Sequence, residues 1–302
     1  MNCAPVVIFV YNRPWHTRQT IEALSANEGV QGTDLIIYSD GPKSPDAIEQ
    51  VNEVRHYLSG VRGFKSVSIV LRDTNLGLAK SIIDGVTEVL KKYNCVIVIE
   101  DDLVTSPYFL QYMNDALEFY QNVDRVVSIH GYLFPVKKLL PETFFLKGAD
   151  CWGWATWRRG WANFNPNGEW LFSELHRLKL TSEFDFKGTY EYTTMLKDQI
   201  DGNNDSWAVR WYASAFLHNK LTLYPGRSLV QNIGFDSSGV HCEVNRNIEV
   251  SLSATPVRVE VIPVEDSKVG RKAFINFFRS QHARQNLRIV ISDIIHKLTR
   301  YF

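Results

Sequence analysis

The sequence predicts an α/β fold with a mixed, mainly parallel sheet that is flanked by helices. In the first hundred residues, short apolar runs typical of strands buried on both faces alternate with segments of helical spacing. This alternation favours right-handed crossovers between parallel strands, as in a doubly wound sheet. The chain has 302 residues, of which 45% are hydrophobic, so it can bury the core of one large domain or two modest ones.

The predicted elements follow one another in a regular order. Strands are predicted at 6–11, 35–38, 67–71 and 95–99, with helices at 16–26, 45–58 and 78–93. After residue 125 the predicted strands, 126–129 and 144–146, are shorter, and seven of the eight tryptophans follow position 150. We therefore divide the chain into a first half, an aromatic-rich half and a C-terminal helical tail, at 1–125, 126–265 and 266–302.

The charge of the chain is balanced overall but not along its length. The 33 basic and 33 acidic residues argue against nucleic-acid binding, because phosphate tracking requires a basic surplus. Residues 269–302 carry a net charge of +6, and the rest of the chain carries −6. Six apolar residues of this tail share one face of a predicted helix: Leu287, Val290, Ile291, Ile294, Ile295 and Leu298. Such a helix either lies on an anionic membrane or docks as an ordinary terminal helix.

The cysteines and the apolar runs indicate the compartment. The four cysteines lie far apart and form no C-x-x-C pair, so neither a zinc knuckle nor a disulfide framework is expected. The N-terminal apolar run lacks the basic flank of a signal peptide, and no stretch approaches the roughly 18 apolar residues of a membrane span. We expect a cytoplasmic protein, either free or peripheral on the inner face of the cell membrane.

Three acidic residues, Glu100, Asp101 and Asp102, directly follow the predicted strand 95–99. Ligands of an open parallel sheet bind beyond the carboxyl ends of its strands. Adjacent carboxylates there repel one another unless a cation offsets their charge, and their oxygens suit Mg²⁺ or Mn²⁺. We therefore predict a divalent metal site. The alternative is a solvated acidic turn or the N-cap of the next helix.

Four sequence blocks occur in an order that is known from one enzyme family: Val6–Pro14, Ile37–Gly41, Arg72–Lys80 and Val98–Leu103. On these blocks the chain resembles the nucleotide-sugar-dependent glycosyltransferases of the GT-A fold, in particular the bacterial family-2-like enzymes. Its acidic triplet is similar to that of N-acetylglucosaminyltransferase I. The resemblance spans residues 6–242 and implies a nucleotide-sugar-binding half at 1–125 and an acceptor-binding, catalytic half at 126–265.

The resemblance implies roles for residues of the first half. Asp102, in the position of the family's D-x-D motif, is the implied metal ligand, and Asp40 is implied to pair with the nucleotide base. The other implied nucleotide contacts are Tyr11, Asn12, Arg13, Arg72, Asn75, Lys80, Glu100 and Asp101. Asp40 can accept a hydrogen bond from uracil N3, which favours UDP, and Arg72 and Lys80 can pair with phosphate. Each block also has a purely structural alternative. Asn12–Pro14 can be a strand-ending turn, Asp40 and Gly41 a β-turn, and Asn75 and Gly77 helix-capping residues.

The densest aromatic patch is Cys151–Trp157, and family members carry a similar glycine–tryptophan segment beside the donor sugar. Indole faces stack on sugars, and a glycine lets a sugar approach the backbone. The predicted substrate-binding residues are Asp150, Trp152, Gly153, Trp154 and Trp207. The i, i+3, i+7 spacing of Trp154, Trp157 and Trp161 favours instead the core stripe of a helix for these three.

An inverting transferase needs a base that takes the proton from the acceptor hydroxyl. In many family members this acid directly follows a tryptophan, at a position where the present chain has Ala208. We assign the base to Asp205, at the start of a predicted helix 206–218, and its alternative role is a plain N-cap. Residues 232–241 are predicted to form a lid over the donor, in which His241 is either a metal ligand or an ordinary loop histidine.

Together these features predict a glycosyltransferase that uses Mn²⁺ or Mg²⁺ and moves a hexosyl or N-acetylhexosaminyl unit. The implied partners are a nucleotide-sugar donor, most simply a UDP-sugar, and a hydroxyl of a bacterial surface glycan or lipid-linked oligosaccharide. A non-catalytic glycan-binding protein would explain the tryptophans but not the acidic triplet. A sugar nucleotidyltransferase is disfavoured, because Val10–Pro14 lacks the glycine-rich phosphate loop which that class needs after its first strand.

Overall fold

The computed structural model describes residues 3–236 and 246–282 of the chain. In these ranges the strands are β1 (Val6–Val10), β2 (Asp34–Ser39), β3 (Ser66–Leu71), β4 (Cys95–Glu100), β5 (Leu103–Thr105), β6 (Val126–His130), β7 (Thr143–Lys147), β8 (Trp154–Trp157), β9 (Leu221–Pro225) and β10 (Val230–Asn232). The helices are α1 (Pro14–Ser25), α2 (Ile48–Ser59), α3 (Leu78–Lys92), α4 (Phe109–Phe119), α5 (Arg158–Trp161), α6 (Gly168–Arg177), α7 (Thr181–Phe184), α8 (Tyr192–Ile200), α9 (Trp207–Leu217) and α10 (268–282).

Eight of these strands form one sheet, in the order β3-β2-β1-β4-β8-β6-β9-β7. The strands β3, β2, β1 and β4 are parallel to one another, as are β6 and β9. In contrast, β8 and β7 run antiparallel to their neighbours. The strands β5 and β10 pair separately as a small antiparallel sheet. The predicted α/β fold, a mixed and mainly parallel sheet flanked by helices, is confirmed.

The strand β1 is apolar throughout because both of its faces are covered. All five of its residues are buried. Val6, Ile8 and Val10 belong to the core layer that includes Ile21 and Leu24 of α1. The alternate residues of the strand belong to the opposite layer, which α3 covers. The polar residues next to this strand therefore lie beyond its ends, and those that follow its carboxyl end are Tyr11–Arg13.

The two halves predicted from the sequence share one continuous sheet. The strand β8 pairs antiparallel with β4, and Val98 lies opposite Trp154 while Cys95 lies opposite Trp157. On its other side β8 pairs with β6. Because the pairing with β4 is antiparallel, the chain that enters β8 passes beside the turn that leaves β4.

The prediction that Trp154, Trp157 and Trp161 share one helix is wrong. Trp154 and Trp157 are the ends of β8, and Trp161 ends the short helix α5. Their predicted core position is confirmed, since the three residues are only 0%, 5% and 7% exposed. The strand β8 forms because it is hydrogen-bonded to a strand on each side, which outweighs the helical spacing of its tryptophans.

The described part of the C-terminal tail is the helix α10. Phe274, Phe277 and Phe278 of this helix are buried in the core cluster of the aromatic half. Residues 283–302, which carry the apolar face from Leu287 to Leu298, lie outside the described residues, so the membrane contact stays a prediction. Within residues 3–236 and 246–282, no helix is long and apolar enough to cross a bilayer.

A glycine next to Tyr212 gives a test of this packing. Gly148 has a φ of 104°, and a Cβ there would lie 2.1 Å from Cε2 of Tyr212. We expect Gly148→Ala to lower the free energy of unfolding by about 3 kcal/mol, because backbone strain and overlap with a buried ring act together. In the control Gly63→Ala, at a φ of 96° with open space around it, backbone strain alone acts and the loss is about 1 kcal/mol. Urea unfolding measures both losses, and equal values would contradict the packing argument.

Candidate active site at the carboxyl edge of the sheet

The carboxyl ends of β1, β2 and β4 meet at one edge of the sheet, because these strands are parallel and adjacent. Tyr11–Arg13 follow β1, Asp40 follows β2, and Glu100 ends β4 with Asp101 and Asp102 directly after it. The fold thus brings the residues with implied nucleotide and metal roles to one crevice. Open α/β sheets bind their ligands in a crevice of this kind.

Arg13 ties the loop after β1 to the acidic turn after β4. Its Nη2 donates a hydrogen bond to Oδ1 of Asp101 and another, of 2.8 Å, to Oδ2 of Asp102. The Arg13 side chain is 19% exposed, and those of Asp101 and Asp102 are 7% and 11% exposed. Burial disfavours the charge on Arg13, but the two carboxylates outweigh it and raise the pKa of the guanidinium. Arg13 is therefore a fixed counter-ion inside the crevice.

Glu100 adds a third acid to this turn. Burial, followed by the charges of Asp102 and Asp101, raises the pKa of Glu100 to about 8 despite the opposing effect of Arg13. Burial also raises the pKa of Asp101, against the lowering by Arg13. Three carboxyl groups thus face one guanidinium, and the turn has an excess of negative charge.

This excess and the oxygen donors fit a divalent cation such as Mn²⁺ or Mg²⁺. In the described residues Oδ1 of Asp102 has no hydrogen-bond partner, whereas Oδ2 is bonded to Arg13. No group of three His, Cys, Asp or Glu side chains that could hold a metal occurs in residues 3–236 and 246–282. A cation bound here would therefore be coordinated by Asp102, and phosphate and water oxygens would fill most of its remaining coordination positions, as is common for Mg²⁺. His241, the other predicted ligand, lies outside the described residues.

The loop after β1 is anchored on the loop after β2. The Tyr11 hydroxyl accepts a hydrogen bond of 2.9 Å from the backbone N–H of Lys43. Asn12 is half-buried, and α1 begins two residues later at Pro14, a residue suited to the first helical position. The short connection from β1 to α1 therefore holds Tyr11, Asn12 and Arg13 at the crevice.

Asp40 is buried at the end of β2 and organises the loop before α3. Its carboxylate accepts hydrogen bonds of 3.0 to 3.1 Å from the backbone N–H groups of Gly41, Leu76 and Gly77. The Asn75 side chain donates a hydrogen bond of 2.9 Å to the Gly41 carbonyl and closes the same loop. Both oxygens of Asp40 are therefore occupied by the backbone of the protein itself.

Arg72 and Lys80 have partners on and around α3. Arg72 donates to Oγ of Ser81, and its guanidinium lies 5.1 Å from the ring centroid of Tyr38. Lys80 pairs with Asp84 at 2.7 Å, and the Lys80 side chain is 60% exposed. Such an exposed pair is weak, so Lys80 can exchange Asp84 for a phosphate at little cost. The phosphate role of both residues stays a prediction.

Residues 232–236 lie against the acidic turn. The Ile233 N–H donates a hydrogen bond of 2.9 Å to the Asp102 carbonyl, next to the pairing of β10 with β5. A Cβ on Gly234 would lie 2.1 Å from Oδ2 of Asp102, so this close approach requires glycine. Farther along, Oδ2 of Asp236 lies 3.1 Å from Nε2 of His16 on α1. The first part of the predicted lid thus contacts the crevice, and residues 237–241 lie outside the described residues.

A pocket of about 670 Å³ lies in the aromatic half, and Asp150 and Trp152 both line it. Its walls come from the loop before β8, from residues 189–195, from the start of α9 and from α10. Eight of the 23 lining residues are phenylalanine, tyrosine or tryptophan: Phe134, Trp152, Tyr190, Tyr192, Tyr212, Phe235, Phe277 and Phe278. A pocket of this size, mostly apolar with a few polar groups, is typical of a small-molecule site.

The pocket and the acidic turn are neighbours. The antiparallel register of β4 and β8 brings residues 150–153 beside the end of β4. The rings of Trp152 and Phe235 lie 5.5 Å apart, and Phe235 follows Gly234, which contacts Asp102. The side chains of Trp152 and Phe235 therefore form part of a common wall between the two sites.

Cys151 directly follows Asp150 in the loop that leads into β8. Burial raises the pKa of the Cys151 thiol well above its ordinary value, and the carboxylates of Asp150, Glu100 and Asp102 raise it further. One side chain thus experiences the charge of the pocket and that of the crevice. The rings of Trp152 and Phe235, 5.5 Å apart, separate the two sites.

Residues 6–159, just over half of the chain, match the sequence profile of Glycosyl transferase family 2. The chain belongs to glycosyl transferase family 2. The match includes all strands from β1 to β8 and every crevice residue up to Asp102. The GT-A fold implied by the four sequence blocks is that of this family. No curated protein sequence matches the chain significantly.

Three solved structures are similar to part of this family 2 chain. The mannosyltransferase PcManGT from Pyrobaculum calidifontis, in complex with GDP-Man and Mn²⁺, has 11% identity over 42% of this chain and 34% of its own, with a TM-score of 0.32. S. aureus TarS has 14% identity over 46% of this chain and 23% of its own, with a TM-score of 0.31. S. aureus TarS 1-349 has 13% identity over 52% of this chain and 47% of its own, with a TM-score of 0.35. The chain thus spans less than half of the length of each.

Three of the predicted substrate contacts lie in the core of this family 2 chain. Trp154 is fully buried and Trp207 is 3% exposed, and their rings stack at 5.4 Å. A Cβ on Gly153 would lie 2.6 Å from Cγ2 of Val230, so its backbone is packed against protein. None of the three lines the pocket, and their assignment as substrate contacts stays a prediction. In the structure the glycine and both tryptophans pack closely around β8.

Asp205 precedes α9 but is not its N-cap. The hydroxyl of Ser206 accepts the capping hydrogen bond from the Val209 N–H at 3.2 Å, so that alternative is wrong. The carboxylate of Asp205 is 70% exposed and lies 3.4 Å from Nη2 of Arg210. Asn204 and Ser206 line the pocket, whereas Asp205 does not. Its assignment as the base stays a prediction.

Sequence reasoning missed the polar aromatic residues and the histidine around Asp150. They are Tyr190, Tyr192, Tyr212, Tyr224 and His130. The run Gly188–Tyr192 contained a usable signal, because a tyrosine combines an apolar ring that can stack with a hydroxyl that can hydrogen-bond. Tyr224 and His130 carry no such signal, since only the pairing of the sheet brings β6, β9 and residue 150 together.

The charge excess at the acidic turn gives a test by stability. We expect Arg13→Ala to lower the free energy of unfolding by about 3 kcal/mol, because it leaves buried carboxylates without their counter-ion. Mn²⁺ should restore more stability to this variant than to the wild type, since it supplies the missing positive charge. The control Lys80→Ala, which removes an exposed i,i+4 pair, should cost no more than about 0.5 kcal/mol. Urea unfolding with and without Mn²⁺ measures these changes, and an equal response of all three proteins to the metal would contradict the cation site.

Proposed function

We propose that this family 2 glycosyltransferase moves a sugar from a UDP-sugar to a hydroxyl of a bacterial surface glycan or lipid-linked oligosaccharide. The observation that carries the proposal is the adjacency of two unlike sites, an acidic crevice and an aromatic pocket. The crevice suits a diphosphate that binds with a divalent cation, and the pocket suits a sugar ring. The sugar would be transferred where the two sites meet, beside Cys151 and Trp152.

The donor is held, in this proposal, by the loops after β1, β2 and β4. Asp40 binds the N–H groups of Leu76 and Gly77, and Asn75 binds Gly41, so the loop before α3 is shaped before the nucleotide arrives. Such preorganisation lowers the entropic cost of binding. Asp40 would thus support the nucleotide through this loop, and direct pairing with uracil N3 would displace one of its backbone hydrogen bonds.

The proposed reaction is a single displacement with inversion at the anomeric carbon. When bound at Asp102, a divalent cation would neutralise the diphosphate and stabilise the leaving nucleotide. Arg13 orients Asp102 by its hydrogen bond to Oδ2. The aromatic walls of the pocket limit the access of water, which would otherwise compete with the acceptor. A carboxylate takes the proton of the attacking hydroxyl, and sequence reasoning assigns this role to Asp205.

The proposal also includes the kind of sugar that is transferred and the place in the cell where the enzyme acts. The transferred unit is a hexosyl or N-acetylhexosaminyl group, and the acidic triplet supports the likeness to N-acetylglucosaminyltransferase I. The net charge of +6 on residues 269–302 supports a peripheral contact with the inner face of the cell membrane, where lipid-linked acceptors occur. The reaction would then take place on the cytoplasmic side.

A second candidate, a non-catalytic glycan-binding protein, is favoured only by the aromatic walls of the pocket. Such a protein has no use for the acidic turn. Holding Glu100, Asp101 and Asp102 out of water next to a single arginine is unfavourable, and it needs a compensating function. The turn therefore favours the enzyme.

Thermal-shift measurements with UDP-, GDP- and CMP-sugars, each with and without Mn²⁺, test the proposed donor. We expect the largest stabilisation with a UDP-sugar in the presence of Mn²⁺, together with slow release of UDP by hydrolysis. A glycan-binding protein would be stabilised by free glycans but would release no nucleotide. Absence of both effects with every nucleotide-sugar would rule out the proposed function.

The metal role is tested by Asp102→Asn, which keeps the size of the side chain and removes its charge. We expect the Mn²⁺-dependent part of UDP binding to disappear and UDP release to fall by at least about 100-fold, because the diphosphate charge is no longer neutralised. The matched control is Asp124→Asn, whose carboxylate is 85% exposed and pairs with Lys220 away from the crevice, and which should behave as the wild type. Unchanged UDP binding by Asp102→Asn would show that the metal ligand is another residue.

A further inference from the structure

The floor of the aromatic pocket contains a carboxylate in an unusual position. Asp150 lies in the loop between β7 and β8, and its side chain is 20% exposed. Oδ1 accepts a hydrogen bond of 2.9 Å from the Cys151 N–H, and Oδ2 accepts one of 3.3 Å from the Tyr224 hydroxyl. A carboxylate can accept about four hydrogen bonds, so Asp150 is fixed in place and still has positions left for a ligand.

Resting on the proposed function, we propose that this pocket binds an uncharged sugar unit of the acceptor and that Asp150, rather than Asp205, takes the proton of its attacking hydroxyl. The proposal is a substrate class for the pocket together with a catalytic residue for the transfer. It stands on the place of Asp150 in the pocket, on its closeness to the crevice and on the charges of the pocket wall.

Asp150 is the acid of the pocket that lies closest along the chain to the crevice. The antiparallel pairing of Val98 with Trp154 brings the loop that holds Asp150 alongside the end of β4. The ring of Trp152 in this loop lies 5.5 Å from that of Phe235, which follows Gly234 at Asp102. A hydroxyl bound to Asp150 would therefore lie between the pocket and the diphosphate site. This is the position that a single displacement requires of its nucleophile.

His130 stands behind Asp150, in the end of β6. It is completely buried, and its Nε2 lies 3.7 Å from Oδ2 of Asp150. Neither ring nitrogen has a hydrogen-bond partner within the described residues. Burial lowers the pKa of His130, more than Asp150 raises it. A neutral imidazole with an unmet hydrogen bond thus lies directly behind the carboxylate of Asp150.

Asp205 differs from Asp150 in its exposure, in its hydrogen-bond partner and in its position relative to the pocket. Its carboxylate is 70% exposed, its partner is Arg210 at 3.4 Å, and it does not line the pocket. A general base has to lie within hydrogen-bond reach of the proton that it takes. An acceptor sugar enclosed by the pocket meets Asp150, whereas Asp205 remains in solvent.

The charge of the pocket wall selects the class of sugar. Besides Asp150, the acids Glu191 and Asp198 line the pocket, and no lysine or arginine does so among the described residues. The ring of His282 also lines the pocket, and its Nε2 lies 2.9 Å from the Thr189 carbonyl, so this nitrogen already has a partner. A uronic acid or another anionic sugar would place its charge among carboxylates with no cation to pair it. Hexoses and N-acetylhexosamines meet no such penalty, and the aromatic walls can stack on their C–H faces.

The step balances without a further reactant. The acceptor oxygen forms a bond to the anomeric carbon while the bond from that carbon to the diphosphate oxygen breaks. The bonding electron pair leaves with the nucleoside diphosphate, and the hydroxyl proton passes to the carboxylate of Asp150.

The decisive experiment compares Asp150→Asn with Asp205→Asn, both isosteric. The acceptor probes are methyl glycosides of glucose, galactose, N-acetylglucosamine and glucuronic acid, with a UDP-sugar that the wild type hydrolyses in the presence of Mn²⁺. We expect kcat for transfer to fall by about 10²- to 10⁴-fold in Asp150→Asn, with Mn²⁺-dependent UDP binding retained, and by less than about threefold in Asp205→Asn. An uncharged glycoside should be used with at least tenfold higher kcat/KM than the glucuronide, a preference worth about 1.4 kcal/mol.

A second variant covers the case in which Asp150→Asn does not fold. Tyr224→Phe keeps the ring packing and removes only the hydroxyl that binds Asp150, so we expect a fall of about tenfold in kcat with KM little changed. Full transfer by Asp150→Asn, loss of transfer by Asp205→Asn, or equal use of the glucuronide would overturn the proposal. These outcomes leave the proposed function intact, because wild-type UDP release tests that separately.

Discussion

The buried acidic turn at the end of β4 is the constraint on which the rest of the site depends. Glu100, Asp101 and Asp102 lose hydration there, and such groups are tolerated only if opposite charge or hydrogen-bond donors replace the water. Arg13 supplies a single positive charge and two well-placed hydrogen bonds. The remaining imbalance makes this edge of the sheet receptive to a cation, and a cation held there could in turn pair with a diphosphate.

The same turn fixes the course of the chain 130 residues later. The Asp102 carbonyl accepts a hydrogen bond from Ile233, and β5, which follows the turn, pairs with β10. Gly234 then passes so close to Asp102 that no side chain fits, and Phe235 reaches Trp152 in the pocket wall. The crevice and the pocket thus share a wall of a few residues.

Sequence patterns predicted the elements that are set by residues close together in the chain. They missed the contacts that the sheet creates between residues far apart in the chain. The apolar run before Glu100 predicted β4 and its acidic end, because a strand buried on both faces leaves a clear pattern. The pairing of Arg13 with Asp101 joins residues 88 positions apart, and no local pattern contains it. Trp154 was misplaced for the same reason: its spacing is helical, but hydrogen bonds to two neighbouring strands make it part of β8. The pocket around Asp150 needs β6, β9, α8 and α10 together, so its tyrosines could not be grouped before the fold was known.

The two sites also differ in how they relate to the family. The acidic turn and the loops after β1 and β2 lie well inside the part of the chain that matches family 2, residues 6–159. Much of the pocket wall, including Tyr190, Tyr192, Phe277 and Phe278, comes from beyond that match. In the proposed function, the donor site thus lies in the part of the chain that matches the family, and the acceptor pocket is built largely by residues after that part. The helix α10 supplies Phe277 and Phe278 to the pocket wall, and in the sequence it leads into the basic residues from Arg284 onward. In the proposed function, the segment that encloses the acceptor sugar is thus continuous with the one that is predicted to meet the membrane.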